Sequence, residues 1–190
     1  MTRTRLALRS GIVTLTLLTA AIAASPALAE TSSCSGTLGA VIVDNLRVPR
    51  GAICTLNGTI VKGTIKVGRE ATLVAHGIRV VGNVQAGGAM NVVVNGSSRI
   101  GGSIQLKQGG AASVTASRVK GDIQYDANDG LLRASDNKVG GSIQIVGNSA
   151  AAEIFRNTVK GNLQCKENEP EPTGGGNIVQ GNKEDQCAAF

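Results

Sequence analysis

The sequence predicts an all-β solenoid, in which the chain winds into stacked coils of about 20 residues. The first observation is a related phrase (KGTIKV, VGNVQA, GGSIQL, KGDIQY) that recurs at steps of 19 or 20 residues. The second is strict alternation of apolar and polar residues after each repeated glycine. The third is a spacing of apolar residues that recurs from one repeat to the next. The repeated glycines are Gly63, Gly82, Gly102, Gly121, Gly141, Gly161 and Gly181.

The alternation indicates one strand per repeat with a single buried face. After Gly102, Ile104 and Leu106 share one side, whereas Ser103 and Gln105 share the other. A second apolar patch follows about ten residues later, and a third apolar residue precedes each glycine. Three inward contacts per repeat predict a coil with three faces. We expect the glycines at corners, where a positive φ or a tight bend is needed.

Residues 1–29 resemble a secretory signal peptide. Arg3, Arg5 and Arg9 precede an apolar stretch, and Ala27-Leu28-Ala29 has the small-x-small form of a cleavage site. The alternative is an uncleaved anchor, but the apolar stretch is short for a membrane span. We therefore predict a secreted chain, extracellular or in the periplasm and cell envelope. Its predicted parts are an N-terminal cap (30–46), a β-solenoid (47–165), and a loop with a C-terminal cap (166–190).

Four cysteines remain after residue 29, and the repeat selects their pairing. Cys34 and Cys54 are 20 residues apart, and Cys165 and Cys187 are 22 apart, each close to one coil. Residues one coil apart stack at about 4.8 Å, within the Cα separation of a disulfide. The other pairings would join opposite ends of a rod. With one histidine and no CxxC, a metal site is the weaker alternative, so we expect no metal and no cofactor.

The repeat resembles the right-handed parallel β-helix proteins of bacteria. The resemblance rests on the V-x-G-x-[IVL]-Q phrase and on an asparagine before the third contact, as at Asn137, Asn157 and Asn177. It implies a right-handed, single-stranded solenoid, here of about seven coils with disulfide-tied ends. The stretch 61–94 also resembles the bactofilins, polymer-forming β-helical proteins. The signal peptide and the cysteines depart from that family's cytoplasmic form.

One candidate binding face is a row of outward amides at the same position of successive coils. Two residues earlier in each coil stands a second polar residue, such as Ser103 or Asn162. These rows suit a glycan or cell-wall polymer with a regular repeat. The alternative is a ladder of amides that bond to one another and stabilise the sheet. The amide row consists of Gln85, Gln105, Gln124, Gln144 and Gln164, preceded by Lys66.

A second candidate is a basic edge. Four cations each precede the third inward residue of their coil, and Lys62, Lys120 and Lys160 lie just after it. Like charges stacked in register repel, which an anionic polymer would offset; the alternative is a solvated edge that keeps the rod soluble. Because aromatic side chains for stacking are scarce and the chain is expected to be exported, we expect no nucleic-acid partner. The four cations are Arg79, Arg99, Arg118 and Lys138.

The carboxylates give a weaker candidate for catalysis. Asp122, Asp126, Asp129 and Asp136 fall on one coil, and Glu153 falls on the next. No motif of a polysaccharide lyase or hydrolase is visible, and residues 126–130 lack the ligand spacing of a calcium loop. We therefore predict a non-enzymatic protein with a structural or adhesive role. The alternatives are a β-helical polysaccharide-active enzyme and a bactofilin-like filament. We expect a monomer without a membrane span, with self-association as the alternative.

Overall fold

The computed structural model describes residues 30–190, and the predicted signal peptide lies outside them. The chain forms a parallel β-solenoid of about eight coils with roughly 20 residues per turn, and each coil contributes one strand to each of three sheets. The number of coils exceeds the predicted seven because residues 31–43 form one more coil. No described helix is long and apolar enough to cross a membrane.

Each coil passes in turn through three sheets, the first, second and third faces of the solenoid. The first face comprises β1 (Thr31–Ser33), β4 (Asn45–Val48), β7 (Ile65–Val67), β10 (Val84–Gly87), β13 (Ile104–Lys107), β16 (Ile123–Asp126), β19 (Ile143–Val146), β22 (Leu163–Lys166) and β25 (Lys183–Asp185). The second face comprises β2 (Gly36–Leu38), β5 (Ile53–Asn57), β8 (Thr72–His76), β11 (Asn91–Asn95), β14 (Ala111–Thr115), β17 (Leu132–Ser135), β20 (Ala152–Phe155) and β23 (Thr173–Gly175). The third face comprises β3 (Ile42–Val43), β6 (Ile60–Val61), β9 (Arg79–Val80), β12 (Arg99–Ile100), β15 (Arg118–Val119), β18 (Lys138–Val139), β21 (Thr158–Val159) and β24 (Ile178–Val179).

Every coil pairs in register with the next, and this register builds the core. Ile104, for example, pairs with Val84 on one side and Ile123 on the other, and all three are fully buried. The interior is therefore a stack of Val, Ile, Leu and Ala side chains from three faces. Tyr125 is the largest buried side chain, and its hydroxyl donates to the Arg133 carbonyl oxygen at 2.9 Å. Burial raises the pKa of Tyr125 well above its ordinary value.

The seven repeated glycines lie at the third corner, between the third and first faces, and none has a positive φ. Their expected place at a corner is confirmed, and of the two reasons expected for it, a positive φ does not apply to them. Glycine is required at these positions because there is no room for a side chain. A Cβ on Gly102 would overlap Asn83 Oδ1, and one on Gly121 would overlap Ser103 Oγ. The polar side chain of the preceding coil occupies that space because it accepts a hydrogen bond from the backbone. Asn83 Oδ1, for instance, accepts from the Ser103 N–H at 2.8 Å.

The other two corners carry the residues with positive φ and two buried asparagine ladders. At the first corner, between the first and second faces, Asn148 Oδ1 accepts from the Asn128 N–H at 2.9 Å, and Asn148 Nδ2 donates to the Tyr125 carbonyl at 3.1 Å. At the second corner, Asn157 stands in the same relation to Asn137. Each buried amide thus replaces backbone pairing that is lost where the strand turns.

Both ends are joined to the stack by the predicted disulfides. Cys34 and Cys54 have a Cα separation of 5.6 Å, and Cys165 and Cys187 one of 5.1 Å. The segment expected as a loop and C-terminal cap, 166–190, contributes β23 to the second face and a ninth strand, Lys183–Asp185, to the first. The Phe190 ring lies over Gly174 at the end of the second face.

We predict that Gly102→Ala lowers the free energy of unfolding by about 1–3 kcal/mol, because the added methyl meets the Asn83 side chain and the Gly82 carbonyl. Gly87→Ala is the control. A Cβ at Gly87 has no neighbour within 4 Å, so that variant should be neutral or more stable by up to ~1 kcal/mol. Urea unfolding of both proteins checks the difference, and equal effects would contradict the account of the glycines.

Candidate binding faces

The glutamine row lies on the first face, half-buried, and its members bond to one another. Gln85 Nε2 donates to Gln105 Oε1 at 3.1 Å, Gln105 donates to Gln124 at 2.8 Å, and Gln124 donates to Gln144 at 2.7 Å. Gln164 contacts Asp185 instead, at 3.5 Å. Each central amide thus uses one donor and one acceptor along the ladder. What remains for a ligand is one N–H and one oxygen lone pair per glutamine.

The second polar row, two residues before the glutamine row in each coil, lies at the third corner and does not form a flat outward surface. At this corner each side chain accepts a hydrogen bond from the backbone of the next coil. Asp122 Oδ1 accepts from the Ser142 N–H at 2.8 Å, and Ser142 Oγ accepts from Asn162 N–H at 3.0 Å. These oxygens are part of the fold. They leave the half-buried glutamine row and the exposed cations Arg47 and Lys66 as the outward groups at the centre of the first face.

The basic edge is a row along the third face. Register pairing places Arg99 between Arg79 and Arg118, and Lys138 follows Arg118. All four side chains are exposed. Adjacent members lie about one coil step apart, ~4.8 Å. Apolar residues occupy the two ends of the same row, where Ile42 is 63% exposed and Ile178 is 67% exposed.

A second, interrupted row runs beside the first on the third face. Lys62, Lys120 and Lys160 belong to it, whereas Gly101 and Gly140 occupy the same position in intervening coils. Where the glycines stand, the surface is indented. One depression of about 330 Å³ is lined by Arg79, Arg99, Gly101, Arg118 and Lys120, among others. Another, of about 320 Å³, is lined by Lys120, Lys138, Gly140 and Lys160, among others.

Most cations of the third face are unpaired. Several cations elsewhere meet carboxylates: Arg133 Nη2 lies 2.6 Å from Glu153, and Arg50 Nη2 lies 2.8 Å from Glu70. Among the described residues of the third face, only Lys62 has such a partner, Asp44, at 3.1 Å. The other cations of this face form no salt bridge with any described residue: Arg79, Arg99, Arg118, Lys120, Lys138 and Lys160.

Four of the five carboxylates considered for catalysis have structural partners, and the fifth, Asp129, is exposed at the first corner. Asp122 bonds to the backbone, Asp126 lies 3.2 Å from Lys107, and Glu153 pairs with Arg133. Asp136 accepts two hydrogen bonds from Arg156, which hold the pKa of that carboxyl below its usual range.

Two further polar side chains have structural partners as well. Asn128, within residues 126–130, belongs to the buried ladder of the first corner. Nδ1 of the single histidine, His76, lies 2.9 Å from Asn95 Oδ1 on the second face. Within residues 30–190, no group of three or more His, Cys, Asp or Glu side chains is placed to hold a metal ion.

Sequence reasoning identified the polar rows but not every role they have. The first-corner ladder of Asn128, Asn148 and Asn168 was not recognised, although its 20-residue spacing is visible in the sequence. The depressions at Gly101 and Gly140 were also missed. Both glycines directly precede a repeated glycine, and that doubling was the available signal.

Comparison with known protein families, with characterised proteins and with solved structures finds no match to this chain. The function of this protein is therefore inferred from the residues of its own surface.

We predict that Arg99→Gln raises the free energy of unfolding by on the order of 0.5 kcal/mol at low salt, because it removes repulsion from Arg79 and Arg118. The gain should shrink as added salt screens these charges. Arg133→Gln, which removes a cation paired with Glu153, is the control and should give no gain. Urea unfolding at two ionic strengths measures both variants, and a loss of stability in Arg99→Gln would contradict the prediction.

Proposed function

We propose that this protein is a secreted, non-enzymatic β-solenoid that adheres to an anionic polymer of the cell envelope or the extracellular matrix. The supporting observation is the set of six unpaired cations on the third face, of which four align in register along the rod and two, Lys120 and Lys160, lie beside that row. Four of them repel their neighbours in adjacent coils, so core packing and sheet pairing gain nothing from their identity. An anionic ligand would convert that repulsion into attraction.

The shape of the third face supports an extended ligand over a compact one. The cations extend along successive coils from Arg79 to Lys160, and the two depressions lie in line along the same face. An enclosed small-molecule site would instead bury most of its ligand within one cavity. A polymer lying along the rod would contact all of these groups at once.

The secretion and non-enzymatic parts of the proposal have separate support. Two disulfides are typical of proteins that fold in oxidising compartments. The carboxylates Asp122, Asp126, Asp136 and Glu153 each hold a backbone group or a cation in the fold. A general acid or base needs its proton-accepting oxygen available to the substrate, and these pairings oppose that use.

The test is binding of the disulfide-bonded protein to immobilised dextran sulfate, with neutral dextran as the uncharged counterpart. We expect binding to dextran sulfate alone, weakening as salt rises. Arg99→Glu with Arg118→Glu should lower the affinity by more than tenfold, since the central attraction becomes repulsion.

The matched control is Arg47→Glu with Lys66→Glu. These two exposed cations also pair in register and form no salt bridge with any described residue, but they lie on the first face. The control changes the net charge equally and should alter the affinity by less than about threefold. An equal loss in both double variants would show that net charge alone attracts the polymer, and absence of binding would refute the proposal.

A further inference from the structure

The cations of the third face follow a regular spacing, and this spacing selects among anionic polymers. Five successive coils carry at least one unpaired cation, in the order Arg79, Arg99, Arg118, Lys138 and Lys160. The step between coils is ~4.8 Å. Each of these five coils therefore carries one unpaired positive charge, and the central coil carries a second one on Lys120.

The spacing disfavours duplex nucleic acid, in which the phosphates of each strand advance by roughly 3.4 Å along the helix axis. Against a step of ~4.8 Å, such phosphates lose register with the cations within two coils. A polysaccharide with one acid per disaccharide would leave every second cation unpaired. An extended chain of pyranose sugars advances by close to one coil step per sugar, so one carboxylate on each sugar would match each coil.

The two depressions of the third face lie along the path of the same ligand. Gly101 and Gly140 lie two coils apart, so the two depressions are separated by roughly 10 Å. Lys120 lines both of them. A sugar chain along the rod therefore passes both depressions and the lysine between them.

We infer that the third face binds a linear polysaccharide that carries one carboxylate on every sugar, with one sugar per coil. This inference rests on the proposed function, because it assumes that the third face binds an anionic polymer. The ligand runs along the rod axis, and its rings lie over the depressions at Gly101 and Gly140. Its carboxylates pair with one cation in each of five coils: the row from Arg79 to Lys138, and then Lys160, which lies two residues after Thr158, the register position of that row.

The test measures the affinity of the protein for galacturonate oligomers of increasing length at low salt. Each added sugar should raise the affinity by roughly two- to fivefold, the factor expected of one exposed ion pair, up to five sugars. Beyond five sugars the increase should stop. Hyaluronan, with one carboxylate per two sugars, should bind more weakly than galacturonate polymer at equal carboxylate concentration.

Ile178→Lys provides a variant that gains function. Ile178 is 67% exposed and lies in register with Thr158, in the coil after that of Lys160. A lysine there would give a sixth successive coil an unpaired cation and should move the end of the increase from five sugars to six. Lys66→Gln, on the first face, should leave the length dependence unchanged.

The outcomes separate the two proposals. If dextran sulfate binds but affinity follows charge density alone, with polyphosphate and hyaluronan as tight as the uronate per charge, the one-sugar-per-coil inference is wrong and the proposed function stands. A length limit that does not move in Ile178→Lys would also overturn the inference. If no anionic polymer binds, both fail.

Discussion

The hydrogen bonding of each coil to the next, in register, is the constraint on which the structure depends. Strands supply it on the faces, and side chains supply it at the corners, where the backbone turns away from its partner. Asn83 accepts from the Ser103 N–H, Asn148 from the Asn128 N–H, and Asn157 from the Asn137 N–H. Since buried polar backbone groups without partners are costly, these residues allow a narrow rod to turn three times per coil without losing its pairing.

The same register determines what the surface can do. In a parallel stack, a residue type repeated every 20 positions becomes a row, whatever its chemistry. Glutamines in such a row satisfy one another and stabilise the sheet, as Gln105 and Gln124 do at 2.8 Å. Cations in such a row cannot, so the row from Arg79 to Lys138 carries a cost that only an anion relieves. This difference is why the third face, rather than the glutamine row, is the stronger candidate for ligand binding.

Much of the fold follows from the sequence because a solenoid's contacts are local in its repeat. Knowing the period of about 20 is sufficient to place Cys34 beside Cys54 and Cys165 beside Cys187, and to orient Ile104 and Leu106 inward. The candidate rows follow from the same arithmetic. The ends were harder: the sequence between Thr31 and Val43 lacks the glycine phrase, yet it forms a complete coil because its strands pair with β4, β5 and β6.

The sequence by itself determined the coil length, the inward residues, the disulfides and the alignment of like side chains, because all of these depend only on periodicity. The tertiary structure alone decided why the repeated glycines are needed. Periodicity suggested a backbone requirement, whereas the coil-to-coil distance brings Asn83 into the space that a Cβ on Gly102 would fill. It also decided which charges are free, since pairing depends on whether a carboxylate lies within reach in space: Arg133 has Glu153, and Arg99 has none among the described residues.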